Sequence, residues 1–192
     1  MDNIFSGTGC CSCTTCGTGA ADGTSCCPDG GPAGEKELLI EFLYLDTSVC
    51  TRCRGTEEAL AEALAEVAGV LRATGTKVQV RKIHVQSEEQ ARELGFVSSP
   101  TIRINGRDIQ LEVKESLCAS CGDLCGEDVD CRVWVYQGRE YTVPPKGMII
   151  DAVLRAVYGG KEEGEVKVER KEVPENLKRF FTGIRQKDSR NG

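Results

Sequence analysis

Two cysteines placed where a strand-like run meets a helix-like run constrain the fold of this chain more than any other feature. Residues 38–45 are almost continuously apolar, which is typical of a strand buried on both faces of a sheet. The motif Cys50-Thr51-Arg52-Cys53 follows, and residues 51–73 carry leucines and valines at helical spacing opposite glutamates. A second strand-like run at residues 77–85 completes a β-α-β unit, whose strands are expected to be parallel. Cys50 then lies at the carboxyl end of the first strand, where such sheets bind ligands.

A proline at the start of a third strand-like run is the second constraint. A short helix is predicted from Ser87, and Ser99-Pro100 then leads into the run at residues 101–104. An Asn-Gly dipeptide at residues 105–106 predicts a tight hairpin turn into a fourth strand at residues 107–112.

This order of elements resembles the thioredoxin superfamily over residues 37 to 112, and the apolar run at residues 148–157 is similar to the last helix of that fold. The resemblance implies an α/β thioredoxin-like fold with a central mixed sheet flanked by helices. It also implies that Cys50 is the attacking thiolate, that Cys53 resolves the mixed disulfide, and that Pro100 is cis and faces the pair.

Physical chemistry agrees with these roles. The N-terminus of a helix favours a thiolate over a thiol, and Arg52 adds a cation nearby. A cis proline would leave Ser99 placed to pair with an extended substrate backbone. We therefore expect Cys50, Cys53 and Pro100 to be catalytic and Ser99 and Arg52 to bind substrate, in chemistry that requires no cofactor. The Thr51-Arg52 dipeptide differs from the Gly-Pro of thioredoxins, which leaves the redox potential open.

An inserted cysteine cluster at residues 114–131 separates this chain from ordinary thioredoxins. Its cysteines are Cys118, Cys121, Cys125 and Cys131. Four sulfurs fit one tetrahedral zinc ion or a small iron–sulfur site. Two alternatives stay open: Cys118 and Cys121 as an auxiliary dithiol that passes electrons to Cys50 and Cys53, or two local disulfides.

These cysteines also narrow the resemblance. Cys-x-x-Cys, then Ser-Pro-Thr-Ile at residues 99–102, then an inserted Cys-x-x-Cys followed by Cys-Arg-x-Trp at residues 131–134, resembles a prokaryotic branch of thioredoxin-like proteins described mainly as a domain of unknown function. The resemblance spans residues 37 to 158 and implies a fold and a site, without a substrate.

Residues 1–36 hold six more cysteines among Gly, Ser, Thr, Asp and Pro. They are Cys10, Cys11, Cys13, Cys16, Cys26 and Cys27. Few bulky apolar residues accompany them, so this segment is predicted to be a flexible arm. Closely spaced thiolates can wrap a soft ion such as zinc, copper(I), mercury or arsenite. The alternative is a tail whose cysteines have no role.

Composition excludes several classes of function. A net charge of −6 and a pI near 5.0 provide no broad basic face for nucleic acid. No basic leader and no run of about 20 apolar residues is present, so we expect a cytoplasmic protein without a membrane partner. In a reducing compartment the 12 cysteines favour ligand or redox roles over a disulfide framework.

Residues 159–192 read as a charged linker and a short amphipathic helix. Leu177, Phe180 and Phe181 share one face of that helix, which can dock a partner or the arm, or pack on its own domain. Elsewhere, the resemblance makes Glu41 a candidate for the buried proton-transfer carboxylate of that superfamily, with exposure at the sheet edge as the alternative, and His84 is expected to be an ordinary strand residue.

Two functions from different classes follow from these observations. The first is a thiol-disulfide oxidoreductase that uses the Cys50/Cys53 dithiol on an oxidised protein or small thiol substrate, with an electron donor. The second is a binding protein, carrier or sensor for zinc or another thiophilic metal or metalloid.

Overall fold

The computed structural model describes residues 36–159 and 172–191. Its strands are β1 (Lys36–Tyr44), β2 (Thr76–His84), β3 (Thr101–Ile104), β4 (Arg107–Asp108), β5 (Lys114–Leu117), β6 (Asp130–Tyr136) and β7 (Arg139–Tyr141). Its helices are α1 (Thr51–Ala73), α2 (Glu88–Glu93), α3 (Ala119–Cys125), α4 (Lys146–Tyr158) and α5 (Glu175–Asn191). The expected cysteine-rich arm lies outside the described residues, as does most of the charged linker.

A four-stranded mixed sheet in the order β2-β1-β3-β4 forms the centre of the molecule. β1 runs parallel to β2 and antiparallel to β3, which confirms the predicted β-α-β unit. Leu38, Ile40 and Phe42 of β1 are buried between the layers. The apolar run in the sequence thus forms a central strand, because such a strand meets other layers on both faces.

Two helices cover one part of this sheet. α1 and α4 share a core with β1 and β3, in which Leu60 and Val67 of α1 pack with Ile149 and Val153 of α4. α1 begins directly after Cys50, as the periodicity of the sequence predicts. The helical spacing therefore turns the apolar stripe of α1 toward the sheet and carries its first turn to the carboxyl end of β1.

The hairpin after the proline is shorter than expected. Asn105 and Gly106 have φ values of 51° and 80°, so both lie in the left-handed region that a two-residue hairpin turn requires. β4 nevertheless ends at Asp108 instead of continuing to residue 112. The Asp108 carboxylate accepts the Gln110 amide at 2.9 Å, which turns the chain away from the sheet.

The cysteine insertion folds around a second sheet that the sequence did not predict. β5, β6 and β7 form three antiparallel strands, and α3 connects β5 to β6. The Arg132 amide of β6 donates to the Ser99 carbonyl at 2.7 Å, so β6 lies against the loop that precedes β3. This contact brings the inserted cysteines to the Cys-x-x-Cys motif.

The C-terminal helix α5 packs on its own domain, which is one of the two alternatives for its apolar face. Leu177, Phe180 and Phe181 are buried in the same core as the inserted cysteines. Asn176 accepts the Asp130 amide at 2.8 Å and donates to the Asp130 carbonyl at 2.7 Å. Across the described parts of the chain, every helix is too short or too polar to cross a bilayer.

Candidate metal centre formed by four cysteines

Four buried cysteines bring their sulfur atoms together at the carboxyl end of β1. The Sγ atoms of Cys50, Cys118, Cys121 and Cys131 all lie within 4.8 Å of one another. Cys118 is 3% exposed and the other three are fully buried. The Sγ atoms of Cys121 and Cys131 are 3.2 Å apart. We call these residues the four-cysteine group.

Three elements supply the four-cysteine group. Cys50 is the N-cap of α1, Cys118 is the N-cap of α3 with Cys121 in the first turn, and Cys131 lies in β6. The two Cys-x-x-Cys motifs therefore meet at their helix starts. Residues between the cysteines of the two motifs are also close, with Thr51 Oγ1 lying 3.4 Å from Ser120 Oγ.

Asp46 fixes the loop that carries Cys50. Its Oδ1 atom accepts the Val49 amide at 2.6 Å and the Cys50 amide at 3.2 Å. This local cap holds the turn between β1 and α1 in one conformation. The backbone position of Cys50 is thus fixed by contacts within its own loop and does not depend on the insertion.

Arg52 connects the Cys-x-x-Cys motif to the insertion. Its guanidinium donates to the carbonyls of Ser116 at 3.2 Å, Leu117 at 2.7 Å and Cys131 at 3.0 Å. These donors are engaged by backbone of β5 and β6, and the expected binding of substrate by Arg52 stays a prediction. Arg52 therefore clamps the insertion over the start of α1.

Cys53 is buried beside the four-cysteine group without belonging to it. Its Sγ atom lies 3.3 Å from Ser99 Oγ. Interaction with the neighbouring Cys50 sulfur, together with burial, raises the pKa of Cys53. Cys53 is thus a protonated neighbour of Cys50.

The Ser99-Pro100 peptide bond is cis, as the resemblance implied. Ser99 is 1% exposed, its carbonyl accepts the Arg132 amide at 2.7 Å, and its hydroxyl accepts the Leu45 amide at 3.2 Å. β6 occupies the Ser99 carbonyl in this structure, and the pairing of Ser99 with a substrate backbone stays a prediction.

A buried ion pair anchors β6 in this position. Both terminal nitrogens of Arg132 donate to the Asp108 carboxylate, at 2.9 Å and 2.8 Å, and the Arg132 guanidinium lies 5.2 Å from the Trp134 ring centroid. No local sequence pattern predicts this pair, because Asp108 and Arg132 belong to different sheets.

The thiols of the four-cysteine group share charge unevenly. Hydrogen bonds from Cys118, Cys121 and Cys131 hold the pKa of Cys50 well below its ordinary value. Hydrogen bonds from Cys121 and Cys131 lower the pKa of Cys118 to about 7. Donation to Cys118 raises the pKa of both Cys121 and Cys131. Negative charge is therefore favoured on the sulfurs of Cys50 and Cys118, and protons are favoured on those of Cys121 and Cys131. A bound cation can replace those protons.

The geometry suits a tetrahedral metal ion. A Zn–S bond of about 2.3 Å gives a tetrahedron with sulfur–sulfur edges of about 3.8 Å. The Cys121–Cys131 separation of 3.2 Å is below that value and all the separations are within 4.8 Å, so small shifts of the side chains would reach it. Four sulfur ligands and no oxygen or nitrogen ligand favour soft and borderline ions.

The four-cysteine group differs by one residue from the set expected within the insertion. Cys125 lies at the other end of α3, with its Sγ atom 3.5 Å from the Glu127 carbonyl oxygen, and burial raises its pKa. Cys50 completes the group instead. The six N-terminal cysteines lie outside the described residues.

His84 and Glu41 do not belong to the four-cysteine group. His84 Nε2 lies 2.8 Å from the Leu45 carbonyl oxygen, and its ring stacks on Tyr44. Glu41 is paired in register with Arg103 of β3.

The sequence did not predict that Cys50 lies in one group with Cys118, Cys121 and Cys131. The available signal was the repeat of the Cys-x-x-Cys spacing at Cys50 and Cys118, each at the start of a helix. Spacing alone cannot show that the two motifs meet, because the hydrogen bond from Arg132 to Ser99 that brings them together depends on the tertiary fold.

The fold and the site define a mixed α/β domain with a buried four-cysteine group. The chain belongs to the family described as Domain of unknown function (DUF2703), whose model matches residues 38–153, more than half of the chain. That range contains the four-cysteine group, Cys53 and Pro100, whereas α5 lies outside it. No curated protein and no solved structure matches the chain.

Proposed function

We propose that this protein binds one thiophilic metal ion through the four-cysteine group. The observation that carries the proposal is the convergence of four buried sulfurs, all within 4.8 Å of one another, from α1 and the insertion. Buried thiols that are far apart in sequence rarely meet without a disulfide or an ion to hold, and the described cysteines are all free.

Zinc or another ion with a preference for sulfur suits this site best. Four protein ligands leave no open position for water or substrate, so the ion would be held and stabilised rather than used for hydrolysis. A carrier, buffer or sensor fits a closed site of this kind. A reducing compartment such as the cytoplasm would keep the thiols available. The six N-terminal cysteines are proposed as further soft-ion ligands on the same chain.

A second candidate function is thiol-disulfide exchange on a thioredoxin-like fold. The sheet order β2-β1-β3-β4, a Cys-x-x-Cys motif at the start of α1 and a cis proline before β3 support that fold assignment. The three-residue spacing of Cys50 and Cys53 at the start of α1 favours their pairing as a dithiol, which would act on an oxidised protein or small disulfide and be restored by an electron donor. Full burial of both cysteines weighs against direct access by a protein substrate.

Ion content distinguishes the two functions. The full-length chain with serine at the six N-terminal cysteine positions would be purified anaerobically, loaded with zinc or cobalt and freed of excess ion. We expect one ion per chain and, with cobalt, the absorption of a tetrahedral thiolate complex. Cys121→Ser should bind much more weakly, because one of the four ligands is lost.

Cys125→Ser is the matched control for this experiment. Cys125 is also buried in the insertion but lies outside the four-cysteine group, so its replacement should leave the stoichiometry unchanged. Equal loss of ion from Cys121→Ser and Cys125→Ser would contradict the proposed ligand set. The second candidate is tested by disulfide reduction with the reduced chain, and turnover that survives Cys50→Ser would exclude it.

A further inference from the structure

Cys50 stands in two sulfur groupings at the same time. It completes the four-cysteine group, and Cys53, which lies outside that group, follows it three residues later in the first turn of α1. A sulfur that ligates an ion is a thiolate, whereas a sulfur in a disulfide has no charge to donate. The two uses of Cys50 therefore exclude each other.

We propose that the chain releases its ion by reaction with a small disulfide compound, with Cys53 as the resolving thiol. This inference rests on the proposed function. It adds a substrate class, low-molecular-weight disulfides, and a role for a cysteine that the metal does not use. Oxidation converts Cys50 and Cys53 to a disulfide and leaves the ion with three ligands, too few for a closed tetrahedral site.

The reaction balances in two exchange steps. The Cys50 thiolate leaves the ion and attacks one sulfur of the compound RSSR, which forms a Cys50–SR bond and expels RS⁻. Cys53 then loses its proton and attacks the Cys50 sulfur, which forms the Cys50–Cys53 bond and expels a second RS⁻. Two electrons pass from the cysteines to RSSR. The proton of Cys53 and one from solvent convert both RS⁻ to RSH, and the freed Cys118, Cys121 and Cys131 thiolates take up protons from water.

Cys53 is the cysteine best placed to resolve the mixed disulfide. The sulfurs of Cys118, Cys121 and Cys131 lie within 4.8 Å of the Cys50 sulfur, but all three are ligands while the ion is bound. Cys125 is free of the group, yet its sulfur faces the Glu127 carbonyl at the far end of α3. Cys53 remains a thiol and lies one helical turn from Cys50 at the start of α1, within disulfide reach.

Burial makes this reaction depend on local opening. Cys50 and Cys53 are fully buried beneath the insertion, and the guanidinium of Arg52 ties β5 and β6 to α1. A disulfide compound reaches Cys50 only in molecules whose insertion has opened. The release rate should therefore level off at high disulfide concentration, when opening becomes rate-limiting.

The test uses the full-length chain with serine at the six N-terminal cysteine positions, loaded with one equivalent of zinc. Oxidised glutathione is the probe, and free zinc is followed with a chromogenic chelator. We expect one zinc released for each disulfide formed, and peptide mass mapping should identify the Cys50–Cys53 bond. Cys53→Ser should bind zinc with the same stoichiometry but release it at least tenfold more slowly, because the mixed disulfide at Cys50 reverts.

Cys125→Ser is again the control and should release zinc at the unmodified rate. Equal release rates for Cys53→Ser and the unmodified background would overturn the inference. A mapped Cys121–Cys131 disulfide in the unmodified background would overturn it without reliance on any variant. Absence of zinc from the reduced chain before oxidation would instead overturn the proposed function, so the two failures are distinguishable.

Discussion

At the scale of single residues, Arg132 and Asp108 carry an energetic cost that their contact must offset. Arg132 is fully buried and the side chain of Asp108 is 17% exposed, so neither charge is well solvated. Such a pair contributes little relative to apolar residues, but removal of one partner leaves an unpaired buried charge. Its purpose in this fold is to fix β6 beside β4.

Asp108→Ala should lower the free energy of unfolding by about 3–5 kcal/mol. Arg132 would keep its buried charge but lose the carboxylate that accepts hydrogen bonds from both of its terminal nitrogens. Denaturant unfolding of the reduced chain measures this value. Glu140→Ala is the control, since the Lys114–Glu140 pair is exposed and should be worth less than about 1 kcal/mol. Similar losses in the two variants would contradict a special role for the buried pair.

Replacement of Gly183 and of Gly69 by alanine should change the stability of the chain in opposite directions. A Cβ at Gly183 of α5 would lie 2.5 Å from the Cys125 carbonyl oxygen, whereas a Cβ at Gly69 of α1 meets nothing within 4 Å. Gly69→Ala should therefore stabilise the chain by about 0.5–1 kcal/mol through helix propensity. Gly183→Ala should destabilise it by about 1–3 kcal/mol, because overpacking outweighs propensity.

Thermal unfolding of both glycine variants checks this pair. A shift to higher temperature for Gly183→Ala would show that α5 does not pack closely on α3. A shift to lower temperature for Gly69→Ala would show that the exposed face of α1 is constrained by something other than its own helix.

At the scale of elements, the insertion is held by hydrogen bonds from one side chain of α1. The Arg52 guanidinium reaches carbonyls of both β5 and β6, and no residue of a shorter or less branched type can span them. The elements that carry the ligands are therefore joined independently of any ion.

Arg52→Gln should release a bound ion to a chelator about 10 to 100 times faster, because hydrogen bonds from a charged donor are worth about 1.5–3 kcal/mol each. Stopped-flow transfer of zinc to a competing chelator measures the rate. Arg54→Gln is the matched control, since Arg54 is exposed in the same turn of α1. Equal acceleration in both variants would indicate a general effect of charge.

The elements also show which local patterns can be predicted. α1 begins and ends at the residues that its periodicity indicates, and Ser87 caps α2 by accepting the Gln90 amide at 3.2 Å. These features depend on neighbours along the chain. β5 and β7 were missed because each is short and is stabilised by pairing with β6.

At the scale of the whole molecule, the proposed ion would join the insertion to the central sheet. Three of its ligands lie in the insertion and one at the start of α1. α5 then packs over the insertion through Phe180 and Phe181. Stability in this part of the protein should depend on the ion, whereas the core of α1, α4 and β1 should not.

Removal of the ion should therefore reduce protection from hydrogen exchange in β5, α3 and α5 and leave β1 and β3 nearly unchanged. Amide exchange followed by mass spectrometry compares the loaded and stripped chains. At a free ion concentration of about 100 times the dissociation constant, the expected difference is about 2.7 kcal/mol. A uniform change across all elements would contradict a local joining role.

The sequence by itself determined the elements whose signals are local. The apolar run of β1, the stripe of α1 and the Asn-Gly turn follow from periodicity and turn chemistry, and the cis Ser99-Pro100 bond follows from the resemblance. Only the tertiary structure decided which cysteines meet. Cys50 and Cys131 come together because the Arg132 amide bonds to Ser99 and the Arg132 guanidinium is held by Asp108, contacts between segments far apart in the chain. No spacing within either cysteine motif encodes those contacts, because they depend on how two separate sheets pack.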